Sequence, residues 1–302
     1  MVDDSGTLAE APFGRVLTAM VTPFHDDGSL DEAGAAALAT HLVDAGCDGL
    51  VVSGTTGESP TTSDAEKERL LRTVLEAVGD RAFVVAGVGT YDTHHTVELA
   101  RQAEKAGSHG LLVVTPYYNR PPQEGLLHHF RKAADATGLP VILYDIPPRS
   151  VVPIETETLL RLAEHERIVA VKDAKGNLFA SSEVIARTGL AYYSGEDALN
   201  LPLLAVGAVG MVSVVSHVAA TQYAAMVRAF DTGDVTEALR IHRQLIPAVR
   251  GVMTRTQGAI MAKAAVQQAG IIGSRWMRPP LVPATDAQVE TLLADLAEAG
   301  LR

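Results

Sequence analysis

Eight short runs of apolar and β-branched residues recur along the chain, and each is followed by a longer segment of helical period. The runs are "VLTAMV" (16–21), "GLVVSG" (49–54), "FVVAGVG" (83–89), "GLLVVTP" (110–116), "PVILYDIP" (140–147), "IVAVKDA" (168–174), "AYYSGE" (191–196) and "GMVSVV" (210–215). Most are apolar throughout rather than alternating, the pattern of parallel strands covered on both faces. The segments between them carry helix punctuation. "SDAEKERLLRTVLEAVGD" opens on a capping box, Ser63 with Glu66, and has Gly79 at its stop. "THHTVELARQAEKAGSHG" and "PQEGLLHHFRKAADATG" repeat the scheme, each closing on glycine. Strand starts lie about 20 to 34 residues apart, the length of one strand–helix unit.

Eight such units in roughly 230 residues predict an α/β chain folded as a (β/α)8 TIM barrel. The alternative is an open doubly wound sheet, which would ordinarily carry a Gly-rich phosphate or dinucleotide loop. "GVGTYD" lacks the third glycine of that loop, and "GTTGESP" has no Walker lysine. About 85 residues follow strand eight, and one barrel helix uses only about a dozen of them. The rest predicts an appended C-terminal helical tail. Residues 1–230 are thus expected to form the barrel with a short N-terminal leader, and 231–302 a helical extension without a boundary of its own.

Composition narrows the function. Of 302 residues 47% are hydrophobic, enough for a well-filled core. The formal net charge is −11, from 36 acidic against 25 basic residues, and no basic cluster interrupts the field. Nucleic acid is therefore not an expected partner, although a few local cations would suffice for a small anionic substrate. A lone cysteine, Cys47, permits no internal disulfide and reads as a small core residue in a reducing compartment. The opening "MVDDSGTLAEAP" is acidic and small, unlike a signal peptide, and no apolar run nears the ~20 residues of a membrane span. The expected setting is the cytoplasm.

In a barrel of this kind the chemistry gathers at the C-terminal ends of the strands. Strand two ends at Thr55 and Thr56, strand four at Tyr117 and Tyr118, strand five at Tyr144 and Arg149, strand six at Lys172. Of six lysines, the other five fall in stretches that read as amphipathic helix or loop; Lys175, beside Gly176, is expected to be solvated. An amine in an apolar strand is desolvated, which disfavours the ammonium and frees the nitrogen to attack a carbonyl. The competing reading is a structural lysine paired with Asp173 or another strand-end carboxylate. Imine formation also needs protons moved during loss of water, which a hydroxyl chain of Tyr144, Thr55 and one of Tyr117 and Tyr118 could do without carrying charge inward. Packing at the rim is the bland role for any one of these tyrosines. The paired histidines His94–His95 and His128–His129 diverge on a helix and read as surface residues, so no metal site is expected.

Taken in order, "VVSGTTGES", "VTPYYNRPPQEG", "LYDIPPR" and "VKDAKGN" resemble the dihydrodipicolinate synthases (4-hydroxy-tetrahydrodipicolinate synthases). These belong to the pyruvate-dependent class I aldolases and lyases, a group that includes N-acetylneuraminate lyase. Any one motif alone would be weak; the four in sequence are specific, and the resemblance runs from about residue 14 into the tail. It implies that Lys172 forms an imine with pyruvate, and that the derived enamine attacks L-aspartate 4-semialdehyde in diaminopimelate and lysine biosynthesis. By the same resemblance Tyr144 donates and accepts protons, with Thr55 and Tyr118 completing its relay, Tyr118 from a neighbouring subunit of a homotetramer. Thr56 then binds the pyruvate carboxylate, Arg149 the semialdehyde carboxylate, and the backbone carbonyl of Val212 is a further acceptor. No cofactor is implied beyond the covalent imine.

The chain departs from the family pattern in places. Asp145 stands where many members have Asn. At positions that bind lysine as feedback inhibitor in some members stand Asp64, Lys67, Tyr91 and His95, where inhibited members typically have histidine at the first two and asparagine at the third. Weak or absent inhibition by lysine is expected. Two rival functions share much of the pattern. A lyase acting on sialic acid or a 2-keto-3-deoxy sugar acid would keep Lys172 and Tyr144 but have less use for Arg149, and a non-catalytic pyruvate-binding barrel would have lost a relay or imine residue.

Overall fold

β1 (Val16–Ala19), β2 (Gly49–Val52), β3 (Phe83–Gly87), β4 (Gly110–Val114), β5 (Val141–Asp145), β6 (Ile168–Asp173), β7 (Ala191–Ser194) and β8 (Gly210–Ser213) follow one another in chain order around a closed barrel. The computed structural model describes residues 10–302, so most of the acidic leader lies outside the described residues. β1 pairs with β2, and each strand from β3 to β7 with the next, in parallel. All eight expected strands are present, each stopping one or two residues before its apolar run does. The cause is local. Ser53 turns into the left-handed region after β2 at φ 54°, and Pro116 and Pro147 follow β4 and β5 where a ladder N–H would be needed.

The helices are α1 (Glu32–Asp44), α2 (Asp64–Val78), α3 (Thr93–Ala106), α4 (Gln123–Asp135), α5 (Pro147–Ser150) and α6 (Thr156–Leu162). They continue with α7 (Leu178–Arg187), α8 (Asn200–Ala205), α9 (Ser216–Asp231), α10 (Val235–Val249), α11 (Gly258–Gln268) and α12 (Asp286–Glu298). The described chain divides into two compact units, Val85–Val212 with residues 10–14, and Arg15–Val84 with Ser213–Arg302.

In the first unit β4 to β7 are buried almost throughout, which is what their unbroken apolar runs demand. The register sets Tyr144 beside Lys172, and Lys172 beside Tyr193. α3 ends on Gly107 in the left-handed conformation, as its sequence suggests. α4 does not close on its glycine: Ala136 caps it in a right-handed conformation, two residues before Gly138.

In the second unit the expected capping box opens α2. Ser63 Oγ accepts from the Glu66 N–H at 3.4 Å, and Glu66 Oε2 accepts from the Ser63 N–H at 2.9 Å. The C-terminal helices belong to this unit. Arg250 and Arg255 both bond the buried carboxylate of Asp295, fastening α12 beside the π-helical turn at Arg250–Thr254. α11 is buried on every side, Lys263 included. Cys47 is the core residue expected: its thiol touches Thr18 Oγ1 at 3.1 Å, and burial pushes it up to about 12, too protonated to act as a nucleophile. No helix among the described residues is long and apolar enough to cross a membrane.

Candidate active site

Lys172 is 4% exposed near the end of β6. Its Nζ lies 4.2 Å over the ring of Tyr144, its partner in register on β5. Burial lowers its pKa to about 8; Asp197 pulls it back up and Arg149 pushes it further down. At pH 7.5 a lysine at 8 is about a quarter neutral, whereas an ordinary one is only about a thousandth neutral. The desolvation read from the apolar run thus goes with a larger neutral fraction of the amine. The side chain runs past Gly195, where a Cβ would sit 2.9 Å from Lys172 Cγ and 3.1 Å from Cε. Only glycine leaves that passage open.

Of the carboxylates that could pair with Lys172, Asp173 is engaged elsewhere. Asp173 turns its carboxylate to the Ser181 hydroxyl, at 2.5 Å, and to the Lys175 N–H at 2.8 Å, and so is not the partner of Lys172. Lys175 is not solvated, contrary to expectation. Its side chain is 13% exposed and its Nζ stands 3.0 Å from Asp145 Oδ2, an ion pair without the alignment of a hydrogen bond. Asp145 Oδ1 accepts from the Ile154 N–H at 3.1 Å, and burial raises this carboxyl's pKa against the pull of Lys175. An acidic residue beside Tyr144 is thus compensated within the same unit.

The remaining expected residues are placed as follows. Tyr144 is buried on β5, and Val212 on β8. Arg149 is exposed on the single turn α5. Tyr118 is 90% exposed with φ 72°, while Tyr117 is half-buried and packs edge-on against Tyr91 at 5.5 Å. Burial raises the pKa of the Tyr117 phenol. In the second unit Thr55 and Thr56 occupy the loop after β2, Thr55 partly exposed and Thr56 buried.

The histidine reading holds for His94 and His128, which are exposed, but not for His129. His129 is buried with Nδ1 2.9 Å from Thr93 Oγ1, and desolvation lowers it to about 4. Among the described residues no group of three or more His, Cys, Asp or Glu could hold a metal ion.

Sequence reasoning missed Asp197 and Gly195. The signal was the "SGED" after β7, an acidic pair behind a glycine at a strand end. It also passed over Lys263, grouped with amphipathic helices although "GAIMAKAAV" is apolar around it. That lysine is wholly buried against Glu58.

A profile of the dihydrodipicolinate synthetase family matches residues 12–299. A 4-hydroxy-tetrahydrodipicolinate synthase of Kineococcus radiotolerans is 69% identical over 290 residues, 96% of this chain and 94% of that protein. That of Acidothermus cellulolyticus is 68% identical over 294 residues, 97% of this chain and 95% of that protein. Among solved structures, the dihydrodipicolinate synthase of Cyanidioschyzon merolae with lysine bound superposes with a TM-score of 0.94 at 40% identity, covering 97% of this chain and 100% of that one. One from Bacillus anthracis gives 0.91 at 41% identity, covering 94% and 98%.

Proposed function

The chain belongs to the dihydrodipicolinate synthetase family, and we propose that it condenses pyruvate with L-aspartate 4-semialdehyde to 4-hydroxy-tetrahydrodipicolinate, on the path to diaminopimelate and lysine. The observation that carries the proposal is the desolvated amine of Lys172 over the ring of Tyr144. The neutral amine adds to the keto carbon of pyruvate, and the carbinolamine loses water to give an imine. Loss of a methyl proton gives the enamine, whose carbon attacks the aldehyde of the second substrate. The amine of that substrate then attacks the imine carbon and displaces Lys172 as the ring closes. Lys172 is the covalent carrier, and no external cofactor enters these steps.

Tyr144 gives and takes the protons, with Thr55 and Tyr118 as its relay partners. Thr56 receives the pyruvate carboxylate through hydroxyl and backbone N–H, the Val212 carbonyl is a further acceptor, and Arg149 receives the carboxylate of the semialdehyde. A planar guanidinium suits that bidentate task, and its exposure leaves the fork open to an incoming anion. The enzyme works in the cytoplasm as a homotetramer, with residues 1–230 as the catalytic barrel and 231–302 as its extension. A tyrosine held outward at positive φ supports the subunit exchange of Tyr118, because an aromatic ring so exposed gains by burial against a second copy.

The test is an acceptor comparison. Protein and pyruvate are mixed with L-aspartate semialdehyde, N-acetylmannosamine or glyceraldehyde, and pyruvate loss is followed. Rapid loss is expected only with the semialdehyde. Preference for a sugar aldehyde would move the chain to the lyases, and no loss with any acceptor would remove the activity.

A further inference from the structure

The loop after β2 is bracketed by two non-glycine residues in the left-handed region, Ser53 at φ 54° and Glu58 at φ 58°. Such backbone persists only where its surroundings over-determine it. Around Glu58 they do. Its side chain is 1% exposed; Oε1 accepts from Lys263 Nζ on α11, and Oε2 accepts from the Arg278 backbone N–H at 2.9 Å. Lys263 donates again to the Trp276 carbonyl at 2.9 Å and lies 4.5 Å over the Phe24 ring. The Arg278 guanidinium is 4.4 Å over the same ring and bonds the carbonyls of Gly28 and Thr61, each at 2.8–2.9 Å, and both oxygens of Glu66.

From Glu58 the constraint passes into the loop. Its N–H donates to the Thr55 carbonyl at 3.1 Å, and the Gly57 carbonyl accepts from Thr22 Oγ1 at 2.7 Å. Gly57 itself has no room for a side chain to relax into: a Cβ would stand 3.1 Å from the Met20 carbonyl oxygen and 3.2 Å from Ser53 N. A buried ion pair is a poor source of stability, because well-packed apolar groups of the same volume usually do as well. What it supplies is direction, one named donor for each carboxylate oxygen, and so a single setting for the peptide groups of Thr55 to Gly57.

We propose that Glu58, Lys263 and Arg278 are positioning residues through which the C-terminal segment holds the Thr55–Gly57 loop in its pyruvate-binding form. The inference rests on the reading of that loop as the pyruvate-carboxylate site. It makes the tail part of the catalytic apparatus without its touching substrate.

The experiment is steady-state kinetics of Lys263→Met, with circular dichroism and a thermal melt to establish folding. The pyruvate KM is expected to rise about ten-fold or more, with kcat falling as well because Thr55 of the relay sits in the same loop, and with the semialdehyde KM within about three-fold of the parent. A folded variant whose pyruvate KM stays within about two-fold of the parent would overturn the proposal. If the single variant does not fold, Glu58→Met with Lys263→Met removes both charges and leaves an apolar pair. A raised pyruvate KM in that protein supports the clamp, and a native KM overturns it. Failure of both to fold would assign the network to stability alone and overturn the positional role. Thr56→Val, measured alongside, tests the underlying reading separately. A native pyruvate KM there removes Thr56 from the carboxylate site, while the Lys263 result still decides the clamp.

Discussion

Burial brings Lys172 and Lys263 alike to about 8, and the partner separates them. Lys263 is bound to a carboxylate and one backbone carbonyl, whereas Lys172 faces a ring and a passage kept open by Gly195. The pH dependence follows. Borohydride trapping of the pyruvate imine at subsaturating pyruvate should rise with an apparent pKa near 8 and modify Lys172. A profile rising only toward the ~10.4 of an ordinary lysine would contradict the desolvation argument. Asp145 and Lys175 make a second test. Lys175→Met leaves a buried carboxylate without its cation and should cost about 3 kcal/mol in urea melts. Adding Asp145→Asn should return most of that loss, because a neutral amide oxygen can still accept the Ile154 N–H. Two independent, additive losses would show that the pair is not what compensates Asp145.

The first turn of α2 is held at both ends of Glu66, by Ser63 within the helix and by Arg278 from the C-terminal segment. The Arg278 hydrogen bonds do most to lower Glu66 to about 2 from its ordinary 4.5. A carboxylate lowered on folding stabilises the folded state fully above its unfolded pKa, and that contribution is lost as pH falls toward the folded value. The stability difference between the parent and Glu66→Gln should therefore be constant above about pH 5 and shrink between about 4.5 and 2. Thermal melts across that range would show it. A difference independent of pH would mean that the Glu66 charge contributes nothing to the fastening of α2.

Regulation concerns the molecule entire, since an inhibitor must couple its own site to the chemistry. In the second unit Lys67 donates to the Thr62 carbonyl at 2.5 Å and stands 3.9 Å from Asp64, so a cation already occupies the surroundings of that carboxylate. In the first, Tyr91 is packed on Tyr117 and its carbonyl is taken by the Asn119 amide. In each unit the group that an incoming lysine would need is thus already engaged. Inhibition by L-lysine should appear only above millimolar concentrations. Half-inhibition below that would show that these substitutions leave a working effector site.

The strands, their order and Lys172 were legible in the chain because their signals are local: an unbroken apolar run has few folded uses other than a covered parallel strand, and a lysine closing one must be desolvated. The capping box of α2 was legible for the same reason, its partners lying three residues apart. What escaped was every pairing between distant segments. Lys175 reads as loop until Asp145 is set 3.0 Å from it, and Lys263 reads as one more helical lysine until Glu58, 205 residues away, is buried against it. His129 and His128 look alike in sequence, and only the packing of α4 decides which one loses water. Charge pairing and burial are properties of neighbours in space. The chain by itself determined where strands and helices form and that a lysine closes an apolar strand; the tertiary structure decided which charges compensate one another, and which of two buried lysines is bonded to a carboxylate.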